Sequence, residues 1–375
     1  MICEVKTMTR EYYVGGDVHK DFVTVTVMSP NGKDTEVFEV SATPAGMEQI
    51  IKHMGKKKFC YLAETSTYST DLHNYLVGRR INAFLVDPAN LKMITESNKK
   101  TDVHDSFVIA QFLRLWRKGE IELSISYIVQ DADKYLRDTC MARERYSRLK
   151  GDSSRRIHAY MRRSSMYVGD AVLENLDKKS QRDQIRSDFG DDATLMDLMD
   201  DYEYALSKTV KIDTELRGLY RRLVKSSKQP IKESNEYDVV KARRMVENIN
   251  LMASVPGVGM LTAMQLQCMI VDVDRFENAD KMRSFFGLSP NVRNSGGKTN
   301  HGHITHRGSK FFRTVMYRVA TSNLQSRDSD LTEYHRSHVQ SLGKMRAKVA
   351  CANKILDRIF AILKRRTPYR ASYSH

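Results

Sequence analysis

Four carboxylates stand out by type and position: Asp17, Glu64, Asp102 and Asp105. A spacing of three puts Asp102 and Asp105 on one face of a helix. Carboxylates that converge repel one another unless cations lie between them, and hard oxygen donors suit Mg2+, with Mn2+ as the alternative. Two such ions can activate one phosphate oxygen and stabilise another. Taken singly, each acid has a plainer explanation: Asp17 terminates a strand, Glu64 is a solvated strand end and Asp102 caps a helix. Their order along the strand pattern is what groups them.

The second set lies near the C-terminus. Pro256-Gly257-Val258-Gly259 can turn a helix hairpin so that the amides of Gly257 and Gly259 meet a phosphate without reading bases; the alternative is a helix-to-helix turn buried in a core. Arg307, Lys310 and Arg313, three apart, line one helix face toward DNA or a solvated face, with Lys298 a further basic candidate. His301, His303 and His306 crowd the same region, and no cysteine or carboxylate completes a zinc set with them.

The elements that must position these residues are legible as β and α signals. Tyr12-Tyr13-Val14 leads into Asp17; Phe22–Val27 is β-rich and ends in the turn Ser29-Pro30-Asn31-Gly32; Glu36–Val40 is a third strand. A helix at Ala45–His53, a buried strand ending on Glu64, a strand at Ala83–Val86 and a helix from Asp102 follow. Three meander strands and then β/α alternation are the order of an RNase H-like sheet. No proline occurs between Pro88 and Pro230, which long helices allow. Tyr202, Leu206, Ile212, Leu216, Leu219, Tyr220 and Leu223 recur at three- and four-residue intervals, a narrow stripe that seeks a partner helix. The expected organisation is α/β plus all-α: a metal-binding domain over 1–125, a helical hairpin or coiled-coil arm over 126–245, and a mostly helical C-terminal domain over 246–375. Within the last, Asn294–Gly302 is expected as a mobile loop, and a basic amphipathic helix runs from about Leu342 to Lys364.

Composition bounds the partners. Hydrophobic residues make up 41% and charged residues 29%, a folding composition. No run of about 18 uncharged apolar residues occurs, and the first residues lack an apolar signal core, so the expectation is a chain with no membrane partner. Five dispersed cysteines suggest neither a disulfide framework nor a zinc knuckle and fit a cytoplasmic location. The 61 Lys and Arg exceed the 46 Asp and Glu by 15, and residues 291–375 carry 17 basic against 4 acidic residues. Most of the excess therefore sits in the last quarter, which suits a phosphate backbone; anionic lipid is the rival.

Several motifs coincide with a known family. Gly15-Gly16-Asp17-Val18-His19-Lys20, Ala63-Glu64-Thr65-Ser66 and Lys100-Thr101-Asp102-Val103-His104-Asp105 resemble the RuvC-like acidic tetrad of the Piv-like insertion-sequence transposases, a group that includes the bridge-RNA-guided recombinases. The resemblance continues through Val255–Gly259, Phe285–Pro290, Asn294-Ser295-Gly296-Gly297 and Arg307-Gly308-Ser309-Lys310. It implies that Asp17, Glu64, Asp102 and Asp105 are metal ligands and that Ser295 is a nucleophile forming a covalent phosphoserine. Donor and target DNA, a structured non-coding guide RNA and a homo-oligomer, dimer or tetramer, are implied in the same way. Two positions depart from the pattern: Gly16 stands where a β-branched residue is usual and Ser106 where alanine is usual, and both are expected to loosen local packing. The expected function is thus a transposase or site-specific recombinase. The alternatives are a metal-dependent junction-resolving endonuclease with Ser295 inert, and a basic binding protein with degenerate carboxylates.

Overall fold

The computed structural model describes residues 11–88, 91, 101–129, 131–166, 175–295, 298–304, 309–325 and 329–370. They belong to two compact units, Met1–Val129 and Gln130–His375.

The first unit is built on one sheet in the order β3-β2-β1-β4-β5. Strands β1 (Tyr12–Val18), β2 (Phe22–Met28) and β3 (Thr35–Ser41) form an antiparallel meander. Parallel pairing then adds β4 (Phe59–Glu64) and β5 (Asn82–Val86), with α1 (Pro44–Met54) and α2 (Ser69–Gly78) in the crossovers. Helix α1 starts where the sequence says it should: Thr43 accepts from the Gly46 amide, and Pro44 supplies a preset φ at the first turn. Strand β4 is buried except at Glu64, as a central parallel strand with both faces covered must be. On one face, Val14, Val23, Val25, Tyr61 and Ala63 pack with Met47, Ile50, Leu72 and Leu76 of α1 and α2. On the other, Tyr13, Met28, Cys60 and Leu62 pack under Ile109, Ala110 and Leu113 of α3 (Asp102–Arg117). The far end of α3 is fastened by a buried ion pair, in which Arg117 donates to Glu11 at 3.1 Å just ahead of β1.

The second unit is mostly helical. Helices α4 (Asp131–Arg163) and α6 (Ala193–Ser227), with α5 (Lys179–Phe189) between them, contain the expected pair of long helices. At one end of the pair, Ile157 and Met161 meet Ile185, Leu195, Met199 and Tyr202. At the other, Leu136, Cys140 and Leu216 enter a larger core with α7 (Glu236–Ala253), α8 (Met260–Ile270), α9 (Ala279–Phe285), α10 (Lys310–Asn323), α11 (Asp330–Leu342) and α12 (Lys344–Arg365). The boundary expected at residue 245 therefore falls inside one packed unit, because the base of the arm is part of the C-terminal core. The final helix forms as expected: Cys351, Ile355, Ile359 and Leu363 are buried at helical spacing. One expectation is corrected. The Asn294–Gly302 stretch is not a loop between helices; β6 (Pro290–Ser295) and β7 (Lys298–Ile304) pair as an antiparallel hairpin in which Ser295 lies opposite Lys298.

Among the described residues, Cys60, Cys140, Cys268 and Cys351 are free and buried. No described helix is long and apolar enough to cross a membrane.

Candidate functional site

The acidic site is positioned by register and by a close backbone approach. Strands β1 and β4 run parallel with Gly16 opposite Ala63, so the next residues along, Asp17 and Glu64, are strand neighbours at the same end of the sheet. Alternation assigns both to the face that carries Tyr13, Cys60 and Leu62, the face covered by α3. Helix α3 begins there. Thr101 caps it by accepting from the His104 amide, and Asp102 and Asp105 fall in its first turn, where the helix dipole favours negative charge.

Glycine sets how near that helix comes. A Cβ on Gly15 would lie 2.3 Å from the Ser106 carbonyl oxygen and 2.4 Å from the Ala110 nitrogen. Only a bare backbone lets α3 rest directly on β1, and this brings Asp102 to Asp17. Gly16 has its own partner on the opposite face: a Cβ there would lie 2.0 Å from the Tyr61 hydroxyl. The Tyr61 ring, 1% exposed, occupies the space that a β-branched residue would take. Ser106 is likewise accommodated, since its Oγ lies 2.8 Å from Thr26 Oγ1, buried beneath α3. The two departures thus leave no loosened packing, contrary to the expectation from sequence.

The structure brings Asp17, His19 and Asp102 together, with one ligand atom from each lying within 4.8 Å of the others. His19 Nε2 is 3.0 Å from Asp17 Oδ2 and 3.5 Å from Asp102 Oδ1, and its ring stacks on Phe22 at 4.7 Å. Burial pushes the Asp17 carboxyl above the ordinary range; His19 opposes the shift, and the charges of Asp105 and Asp102 add to it. Asp105 is therefore near enough for its charge to act on Asp17 even though it lies outside the 4.8 Å group. Glu64 enters through strand register alone. Mutually repelling oxygen donors that open at a strand end fit a hard divalent cation, so the residues present suit the expected metal. Beneath them, burial and the Asp17 charge push the Tyr61 hydroxyl far above its usual range, so it remains protonated. That hydroxyl has no hydrogen-bond partner among the described residues.

Sequence reasoning did not assign roles to His19 or Tyr61. The signal for His19 was its place two residues after Asp17. Nothing local marked Tyr61, whose contact with Gly16 is diagonal across two strands.

The C-terminal candidates are placed less closely. Ser295 ends β6, and Lys298 begins β7 as its register partner. His301 and His303 lie on β7, whereas His306 and Arg307 fall outside the described residues. Lys310 is the exposed first residue of α10, and Arg313 lies three positions on, half-buried. Gly257 is explained by packing: at φ +85°, a Cβ would lie 2.5 Å from the Asn323 amide nitrogen, and Asn323 donates to the Pro256 carbonyl at 2.8 Å. The expected phosphate contact is not needed to account for it. Gly259 is different, an exposed N-cap of α8 with open space around it.

Comparison with known proteins agrees with these landmarks. A transposase model, that of the IS110 DEDD transposases, matches residues 14–166, and the model described as "Transposase IS116/IS110/IS902 family" matches residues 249–336. The transposase for insertion sequence element IS1533 of Leptospira borgpetersenii is 24% identical over 285 residues, covering 74% of this chain and 75% of the relative. The transposase for IS1111A of Coxiella burnetii is 30% identical over 127 residues, 33% of this chain and 35% of the relative. An IS110 protein of Streptomyces coelicolor is 26% identical over 121 residues, 32% of this chain and 30% of the relative. The match thus spans about a third of the Coxiella and Streptomyces relatives and three quarters of the Leptospira one. With one matching model over the sheet and its acids and another over the C-terminal helices and hairpin, the chain is similar in both regions to transposases of the IS116/IS110/IS902 family.

Proposed function

We propose that this chain cuts and rejoins DNA at the ends of an insertion sequence, with a divalent cation, Mg2+ in preference to Mn2+, held by Asp17, Glu64, Asp102 and Asp105. The observation that carries the proposal is the convergence of β1, β4 and the first turn of α3 at one sheet end, which gathers acids from three separate stretches of chain. The strand order β3-β2-β1-β4-β5 with an antiparallel β2 supports the RuvC-like, RNase H-like reading of the unit. A bound divalent ion would polarise a phosphate oxygen and stabilise the charge that develops on it. The protein's own contribution is to hold the acids in place by backbone packing at Gly15.

Ser295 is the proposed nucleophile. Its oxygen attacks a DNA phosphorus, a phosphorus–Oγ bond forms, the bond to a deoxyribose oxygen breaks, and that oxygen takes up a proton. Attack by another deoxyribose hydroxyl reverses the step and frees the serine, so phosphodiester bonds are conserved. The closing pair of a hairpin suits a residue that must reach outward, and the basic residues Lys298, Arg307, Lys310 and Arg313, with the Gly259 amide, would hold the backbone. The resemblance adds a structured non-coding RNA that pairs with donor and target DNA, and a dimer or tetramer; the dispersed cysteines suit action in the cytoplasm.

The test is a denaturing gel after incubation with element-end DNA and Mg2+. A covalent protein–DNA adduct is expected, lost in both Ser295→Ala and Asp17→Asn. If Ser295→Ala retains full strand exchange, the serine step is wrong, and the acids act alone as a junction-resolving endonuclease.

A further inference from the structure

Between α4 and α10 runs an open groove of about 630 Å³, within the second unit. On the α4 side its lining follows one helical stripe, Asp138, Met141, Arg145, Arg148 and Arg155, at spacings of three, four, three and seven. On the α10 side it is lined by Lys310, Phe311, Thr314 and Arg318. The cations differ in what they already bind. Arg318 is paired with Glu144, and Arg155 with Asp152. Arg145 lies over the Tyr146 ring at 4.8 Å. No carboxylate among the described residues pairs with Arg148 or Lys310, and Arg145, Arg148 and Lys310 are all exposed. Cations left without anions around a concave surface repel one another, a cost that an anionic occupant removes.

We infer that this groove is a seat for one strand of the sugar–phosphate backbone of duplex DNA, bound without regard to sequence. Three observations favour that occupant. From Arg145 to Arg155 is ten residues, about 15 Å of helix, over which one strand of a duplex presents about four phosphates. Alkyl and small groups, Met141 and Ala142, contribute to the lining, and the one ring among the lining residues, Phe311, is only 8% exposed. The groove therefore lacks the stacking platform that single-strand binders use. Finally, Lys310 follows closely on the hairpin that carries Ser295, with five residues between Ile304 and Lys310. A duplex seated here runs close, along the chain, to the proposed nucleophile. The inference rests on DNA being the substrate, and it gives the α4 face a role beyond forming an arm.

The test is fluorescence anisotropy with the full chain and a random-sequence duplex of about 30 base pairs across a range of salt concentrations, with a single-stranded RNA of equal length as the second arm. In the triple variant Arg145→Ala, Arg148→Ala and Lys310→Ala, duplex binding at 150 mM salt is expected to weaken at least tenfold, and the slope of log K against log salt to shrink by about 3. A control variant of equal charge loss elsewhere, Arg221→Ala, Lys225→Ala and Lys228→Ala, should change the slope by less than half as much. Should the triple variant fail to fold by circular dichroism, a benzophenone side chain placed at Met141 in the otherwise native chain is expected to crosslink the duplex. An unchanged slope, an equal effect in the control, a loss confined to RNA, or no crosslink from position 141 overturns the groove. Failure of the unaltered chain to bind duplex DNA at all would instead overturn the underlying reading of the substrate.

Discussion

At the scale of single residues, the acidic site is held at an energetic cost. Asp17 is partly buried beside two other acids, and its ionised form is disfavoured by burial first and by Asp105 and Asp102 next. Asp17→Asn should therefore raise the Tm of the metal-free protein. The same substitution should abolish any rise in Tm on adding Mn2+. Differential scanning fluorimetry with and without the ion checks both, and a variant that melts lower than the parent in chelator contradicts the account. Tyr61 gives a second measurement. Its hydroxyl is buried without a partner, so Tyr61→Phe should be neutral or stabilising by about 1 kcal/mol in chemical denaturation. Gly16→Val, which drives a side chain into the same ring, should cost about 1–3 kcal/mol. The acids were legible in the sequence because their type and their places at strand ends and a helix start speak for themselves. His19 and Tyr61 were not, since what they do depends on a neighbour brought in by folding.

At the scale of elements, the sheet was legible because alternation, turn residues and the capping Thr43 and Thr101 all point the same way. The hairpin of β6 and β7 was not. Asn294–Gly302 is rich in Gly, Ser and Asn, a composition that a loop and a tight hairpin share, although Gly-Gly between Ser295 and Lys298 is the dipeptide of a two-residue turn. Gly257 is ambiguous in sequence for a related reason: a glycine required by positive φ looks the same there as one required by a ligand. Gly257→Ala meets both backbone strain and the Asn323 amide, so it should destabilise the second unit by at least about 1–3 kcal/mol in urea. The junction of α7, α12 and the segment after α8 has its own titration. Lys364, at 2.8 Å, and Arg244, at 2.6 Å, both donate to Asp274, and these contacts hold the Asp274 carboxyl below the usual range against the push of burial. A depressed carboxylate contributes stability above its unfolded pKa and loses it as pH falls through its folded value. Lys364→Met should therefore move the midpoint of acid unfolding, followed by circular dichroism, to higher pH.

At the scale of the whole molecule, both sheet cores and all four acids lie within the first unit. Residues 1–129 expressed alone should fold cooperatively and retain Mn2+ binding by calorimetry; a fragment that melts without a transition would show that the sheet depends on the rest of the chain. Charge was the part of this scale most legible in sequence, because a surplus concentrated in one quarter needs no folding to be counted. The division into arm and C-terminal domain was less so, since the stripe along α6 does not say that its two ends have different partners. That feature has a mechanical side. The rods α4 and α6 are gripped near Leu136 and Leu216 by one cluster and near Ile157 and Tyr202 by another, and the 21 residues from Leu136 to Ile157 span roughly 32 Å. A beam clamped at both ends does not absorb a bend; it delivers it, so a partner that twists the tip also tilts the root on which the serine-bearing half of the protein is built.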